Sequence, residues 1–215
     1  MQQKTQDICH KSLYPEDDVR HRGFLHILGV IQPLIIIWNI LIAVDGNKIP
    51  DQYYMPLFGM KKEWVSQQFG ALEIFAGISL IIQLHFGLEI FLKNILSKIE
   101  TPVPSKFYQI AHKLLEKISI SEKEKKYLTL MALTHIRNGY HSNGIHLNKS
   151  TKPILIQNIK FEFKRGQSLE GVTPKNVCVL VTEIISIMEE IILTKEVKEI
   201  KEKIPDQYIP DYIES

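Results

Sequence analysis

Cysteine is scarce: Cys9 and Cys178 are the two in 215 residues. They lie far apart and match neither a disulfide framework nor a zinc-ligand spacing, so the expected compartment is reducing. Cys178 falls in an apolar helical pattern and reads as a buried free thiol. An excess of one charge is also lacking. Lys and Arg number 26 against 24 Asp and Glu, a formal net charge of +2. That balance excludes a chain that coats nucleic acid by overall charge, and any basic site must be local. There is no glycine-rich phosphate loop, no Ser-His-Asp arrangement and no paired-carboxylate motif. The opening Met-Gln-Gln-Lys-Thr-Gln-Asp has no adjoining apolar stretch, so no secretory signal is expected. What is abundant is apolar side chain, at 45% of residues. This is enough for a sizeable core and excludes disorder as a description of the whole.

One stretch tests the expectation of a soluble, cytoplasmic chain. Residues 24–44 contain no Asp, Glu, Lys or Arg, a run long enough to cross a bilayer, and 74–88 is a shorter uncharged run. Against spanning, the first run carries His26, Gln32, Pro33 and Asn39, and the second Gln83 and His85. Such groups are costly in lipid unless paired. Two central helices of a bundle, or of its dimer interface, account for the same residues at lower cost, so no stable membrane insertion is expected.

Along the chain, residues 1–16 are polar and read as a flexible segment. A first helix is expected over 17–43, kinked or broken at Pro33. Asp45-Gly46-Asn47 stops it, and 45–62 reads as a long ordered loop packed down by Tyr53 and Tyr54. A second helix runs from 61–66 to about Lys98, and Thr101-Pro102-Val103-Pro104 ends it. Ser105 is placed to cap a third helix with the stripe Phe107, Ile110, Leu114, Ile118. Ser121 and Glu124 form a capping-box pattern for a fourth, which should stop at Asn143-Gly144. Ile154-Leu155-Ile156 and Ile159 to Phe163 have β preference, with Arg165-Gly166 offering a turn. Thr173 and Pro174 open a last long helix buried through Val177, Val181, Ile184, Met188 and Ile191. The expected fold is therefore an all-α helical bundle with a small β-hairpin insertion before the last long helix. It forms one domain over 17–203, followed by a tail, 204–215.

The chemistry is concentrated at the end of the fourth helix. Arg137 and His141 are four apart, on one helical face, and continue the stripe of Leu130, Leu133 and Thr134. A charged Arg on a core-directed stripe needs a partner or a ligand. An Arg fork matches phosphate oxygens, and a His can move a proton near neutral pH. Lys160, Lys164 and Arg165, on or beside the hairpin with Phe161 and Phe163 interleaved, could track an RNA backbone together with Lys149 and His146. Lysines that protect an edge strand explain the same pattern. The structural alternative for the motif is Arg137 paired with Glu73, Glu89 or Glu183 and His141 at a favourable helix end. His135, His141 and His146 have no zinc-like spacing, so no metal or other cofactor is expected. His85 and His112 read as core or surface histidines.

The run Arg137-Asn138-Gly139-Tyr140-His141-Ser142-Asn143-Gly144 resembles the signature of the HEPN superfamily, helical bundles found in bacterial toxins, phage-defence proteins and other ribonucleases. That signature is an Arg, usually followed by a polar residue such as Asn, and a His, with four to six residues between them; here three residues intervene, one fewer than that gap. The layout of helices extends the likeness over roughly 70–197. The resemblance implies metal-independent RNA cleavage in a cleft between two copies. Arg137 would stabilise the phosphorane-like transition state, Asn138 would orient it or hold the phosphate, and His141 would act as acid or base. It also implies a homodimer, an RNA substrate and, for a toxin, an antitoxin partner. The alternatives are a non-catalytic interaction domain for protein or RNA, in which Arg137 is structural, and a small membrane-associated helical protein.

Overall fold

In the computed structural model the described residues are 2–11, 14–45, 50–59 and 61–206. They form helices α1 (Gln2–Lys11), α2 (Val19–Asp45), α3 (Tyr54–Phe58), α4 (Lys62–Ile99), α5 (Phe107–Lys117), α6 (Lys123–His141), α7 (Pro174–Leu193) and α8 (Lys195–Lys198). Between α6 and α7 lies an antiparallel pair, β1 (Ile154–Ile156) and β2 (Ile159–Phe161), with Ile154 opposite Phe161 and Ile156 opposite Ile159. The architecture is the expected one, all-α with a small hairpin before the last long helix.

The core gathers on the second half of α4, where Leu80, Ile81, Leu84, Leu88, Phe91, Leu92, Ile95 and Leu96 are buried. α2, α5 and α6 all pack on it. Phe24 of α2 meets Phe91 edge-on, with ring centroids 6.2 Å apart. The single stripe of α5 is buried through Phe107, Ile110 and Leu114, with Ile118 just past its end, and α7 buries the whole expected face from Val177 to Ile191. Thr173 caps α7 by accepting from the Asn176 N–H at 3.3 Å, and Pro174 occupies the first turn.

Several local expectations are corrected. Residues 2–11 are helical, because Ile8 and Thr5 are buried and Lys4 reaches Ser186 Oγ at 2.5 Å. Of the kink or break expected at Pro33, the break is absent: α2 runs on through it. The carbonyl that Pro33 leaves without a donor belongs to Gly29, which is exposed, so solvent can satisfy it. The loop between α2 and α4 contains a 3-10 turn at Asp51–Tyr53 and the short α3, with Tyr54 buried; the stop signal at 46 and 47 and the tail 207–215 lie outside the described residues. Neither Ser105 nor Ser121 caps a helix. α5 starts after Lys106 and α6 after Glu122, each without a side-chain cap. Ser121 instead accepts from the Lys126 ammonium, which its own carbonyl also binds at 2.8 Å. Cys178 is exposed and Cys9 is half-buried, both free; Cys178 sits one residue round from Val177, off the buried face.

A buried clamp ties the start of α2 to the end of the described chain. Arg20 donates Nε to Asp18 Oδ1 at 2.9 Å, Nη2 to Asp18 Oδ2 at 2.6 Å, and Nη1 to the Ile200 carbonyl at 2.7 Å. Asp18 also accepts the Ile204 N–H at 3.0 Å. The far end of the α2–α4 pair is less covered. Ile36, Met55, Leu57, Trp64 and Phe75 are each more than half exposed. Phe75–Ile99 is long and apolar enough to cross a membrane, with 44% of its most apolar window buried.

Candidate functional site

α6 changes character along its length. Leu130, Leu133 and Ile136 are fully buried, while Thr134, Arg137 and Asn138 are half-buried and His141 is exposed. The helix ends at Ser142; Asn143 and Gly144 take positive φ of 55° and 81°, and the Gly144 N–H returns to the Gly139 carbonyl at 2.9 Å. This is the stop that Asn143-Gly144 announced.

The Arg137 guanidinium donates Nη1 to Asn138 Oδ1 at 3.1 Å. No carboxylate among the described residues lies within ion-pair distance of it. Glu89 lies instead 3.9 Å from His85 Nδ1, Glu183 accepts from Gln157, and the Glu73 side chain lies outside the described residues. Asn138 thus orients the Arg137 fork without neutralising it. An uncompensated guanidinium at a half-exposed helix end is chemically suited to an anion, and its planar fork suits phosphate. His141, one turn further on the same face, is in solvent contact and can exchange protons.

A neighbour that sequence reading did not join to the site is His85 of α4. Its Nε2 meets Thr134 Oγ1 at 3.2 Å and its ring lies on Phe107, with centroids 4.5 Å apart. Burial, with the Arg137 charge beside it, pushes His85 down to about 4, so it stands neutral against the guanidinium at neutral pH. It reads as a core histidine, as expected, but one that faces the Arg137 stripe. The only sequence signal was a polar residue inside an otherwise apolar run, 49 positions away from Thr134.

Residues 144–171 form a flap on α6. The hairpin turns at Gln157 and Asn158, both with positive φ of 49° and 71°, as tight hairpin turns require. Arg165-Gly166, expected as a turn, makes the next one, and Glu162 then pairs with Glu170. The flap docks on His135 and Gly139, whose helical positions are about 200° round from Arg137 and His141. Its basic residues and the Arg137 fork therefore occupy different faces of the same helix end. Lys160 and Lys164 both pair with Glu162 and hold its carboxyl down to about 2. Lys149 and Arg165 are exposed and in no ion pair among the described residues. His146 is fully buried, so the docked flap leaves it out of solvent contact.

No group of three or more His, Cys, Asp or Glu able to hold a metal occurs among the described residues. A groove of about 620 Å³ lies elsewhere, between the Pro102–Pro104 link, α5 and Tyr127. The charged groups of its lining are paired, His112 with Glu116 at 3.3 Å and Lys113 with Glu100 at 3.0 Å. The chain matches no family model, no curated protein and no solved structure.

Proposed function

We propose that the chain is a HEPN-like, metal-independent endoribonuclease of the toxin or phage-defence type, acting in the cytoplasm as a homodimer. The observation that carries this reading is the unneutralised Arg137 fork, oriented by Asn138 and followed one helical turn later by the exposed His141. In such a site the RNA 2′-oxygen attacks the adjacent phosphorus and expels the 5′-oxygen. His141 takes the 2′-hydroxyl proton or supplies one to the leaving oxygen, and Arg137 holds the charge that builds on the phosphoryl oxygens. The products are a 2′,3′-cyclic phosphate and a 5′-hydroxyl, with no metal in the step. The test is cleavage of single-stranded RNA in the presence of a chelator, with analysis of the new ends. Cyclic phosphate ends that disappear with His141→Ala support the reading, and intact RNA at all protein concentrations contradicts it.

A second reading, a non-catalytic interaction domain, is favoured by the uncovered apolar residues Ile36, Met55, Leu57, Trp64 and Phe75 at the far end of α2–α4. It predicts saturable partner binding that Trp64→Ala and Phe75→Ala weaken and Arg137→Ala leaves unchanged.

A further inference from the structure

The seam between α6 and the flap buries polar atoms that nothing in the proposed reaction uses. His135 comes from α6, His146 from the connector that follows it, and Phe163 from the end of the hairpin. Their rings form one cluster, with centroids 5.2 Å apart for His135–His146, 4.8 Å for His135–Phe163 and 5.7 Å for His146–Phe163. His146 Nε2 lies 3.2 Å from the Lys149 carbonyl, so Nε2 carries the proton and Nδ1 is left as a lone pair. The Nδ1 atoms of both histidines are buried without a hydrogen-bond partner. Backbone bonds close the seam around them. The His146 N–H donates to the Gln167 carbonyl at 2.9 Å, the Gly166 N–H to the His146 carbonyl at 2.8 Å, and the Leu169 N–H to the Gly144 carbonyl at 3.2 Å. Leu169 lies so close over Gly139 that a Cβ there would be 2.7 Å from it.

We infer that His135, packed against His146 and Phe163, forms an acid-sensitive latch that holds residues 144–171 against α6 only while the His135 ring is neutral. A proton on His135 would place a cation beside Phe163 and His146 with no counter-charge. Among the described residues no carboxylate of α6, the flap or α7 lies within ion-pair distance of either ring. Glu162, next to Phe163, is taken by Lys160 and Lys164, and Glu183 of α7 is bonded to Gln157. Arg137, on the same helix, bears on His85 rather than on this pair. Burial, with His146 beside it, pushes His135 down to about 4. An undocked His135 would titrate near its ordinary value of about 6.5. The undocked state therefore binds more protons between these values. Docking is complete above about pH 6.5 and weakens as pH falls towards 4, by up to about tenfold per pH unit for one proton. Release would free a segment carrying Lys149, Lys160, Lys164 and Arg165. The latch rests on the seam alone, so it stands or falls separately from the ribonuclease reading.

The test is amide hydrogen exchange from pH 7 to 4.5, corrected for intrinsic rates, on the full chain. Protection of the Gly166 and Leu169 amides should fall below pH 6.5 while that of Ile184 in α7 holds, and His135→Phe should remove the pH dependence. Should that variant fail to fold, the wild-type His135 ring titration by NMR decides: an apparent pKa well below 6.5 supports the latch, and one at 6.5 overturns it. Flap amides that keep their protection to pH 4.5, or lose it in step with Ile184, or keep their slope in His135→Phe, also overturn it.

Discussion

Replacing Arg20 with Met removes the cation of a buried, hydrogen-bonded polar cluster. Arg20 is 3% exposed and Asp18 fully buried. The guanidinium makes two bonds to the Asp18 carboxylate and others to the carbonyls of Val197, Ile200 and Glu202, and it lies 4.0 Å over the Tyr14 ring. Met fills much of the volume, so the cost is chiefly that of a carboxylate left in the interior with backbone N–H groups as its remaining partners. Stranding one member of a buried pair costs about 3–5 kcal/mol. In a chain of this size that lowers Tm by about 6–20 °C. The same cluster predicts the pH response. Burial would raise the Asp18 carboxyl, but the Arg20 and Ile204 bonds outweigh it and hold it below its ordinary value. Its contribution is therefore present above about pH 4 and is lost as pH falls through the depressed folded value. The assay is urea and thermal unfolding of wild type, Arg20→Met and Asp18→Asn. An Arg20→Met variant within about 1 kcal/mol of wild type would refute the reasoning.

His85 and the glycines give further expectations. Because His85 is held neutral down to about 4, protonation opposes folding, and stability should decline as pH falls from about 6.5 towards 4; in His85→Phe that part of the decline should vanish, as pH-dependent denaturation would show. Gly171→Ala should be far more damaging than Gly166→Ala. Both have positive φ, but a Cβ at Gly171 would meet the Lys160 carbonyl oxygen at 2.2 Å while Gly166 faces open space. Thermal melts should show a loss of about 1–2 kcal/mol for Gly166→Ala and a larger one for Gly171→Ala. His141→Ala should leave the unfolding free energy within about 0.5 kcal/mol of wild type, since the side chain is exposed, while lowering RNA cleavage about 10²–10⁴-fold.

Much of the bundle was legible because helix period and burial coincide in it. The stripes Phe107–Ile118 and Val177–Ile191, the Thr173-Pro174 start and the Asn143-Gly144 stop each depend on residues within a few positions of one another. What failed depended on distant contacts. The polar segment 2–11 becomes helical against α2 and Ser186, and Ser121 leaves the capping role to hold a buried lysine. The site divides in the same way. Arg137, Asn138 and His141 share one helical turn and could be found by spacing. The approach of His85, and the burial of His146 beneath a flap on the opposite face, arise only when α4 and the hairpin pack on α6.

The central claim is that the Arg137 end of α6 receives an RNA phosphate. Its most direct test is NMR of the Arg137 Nε–H during titration with a short RNA whose scissile 2′-hydroxyl is replaced by hydrogen, so that it binds without reacting. The account predicts a saturable shift at Arg137, binding weakened at least about tenfold in Arg137→Met, a loss of about 1.4 kcal/mol, and binding retained in His141→Ala. An Arg137 resonance that does not move at saturating RNA, or an Arg137→Met variant that binds RNA as wild type does, would contradict it.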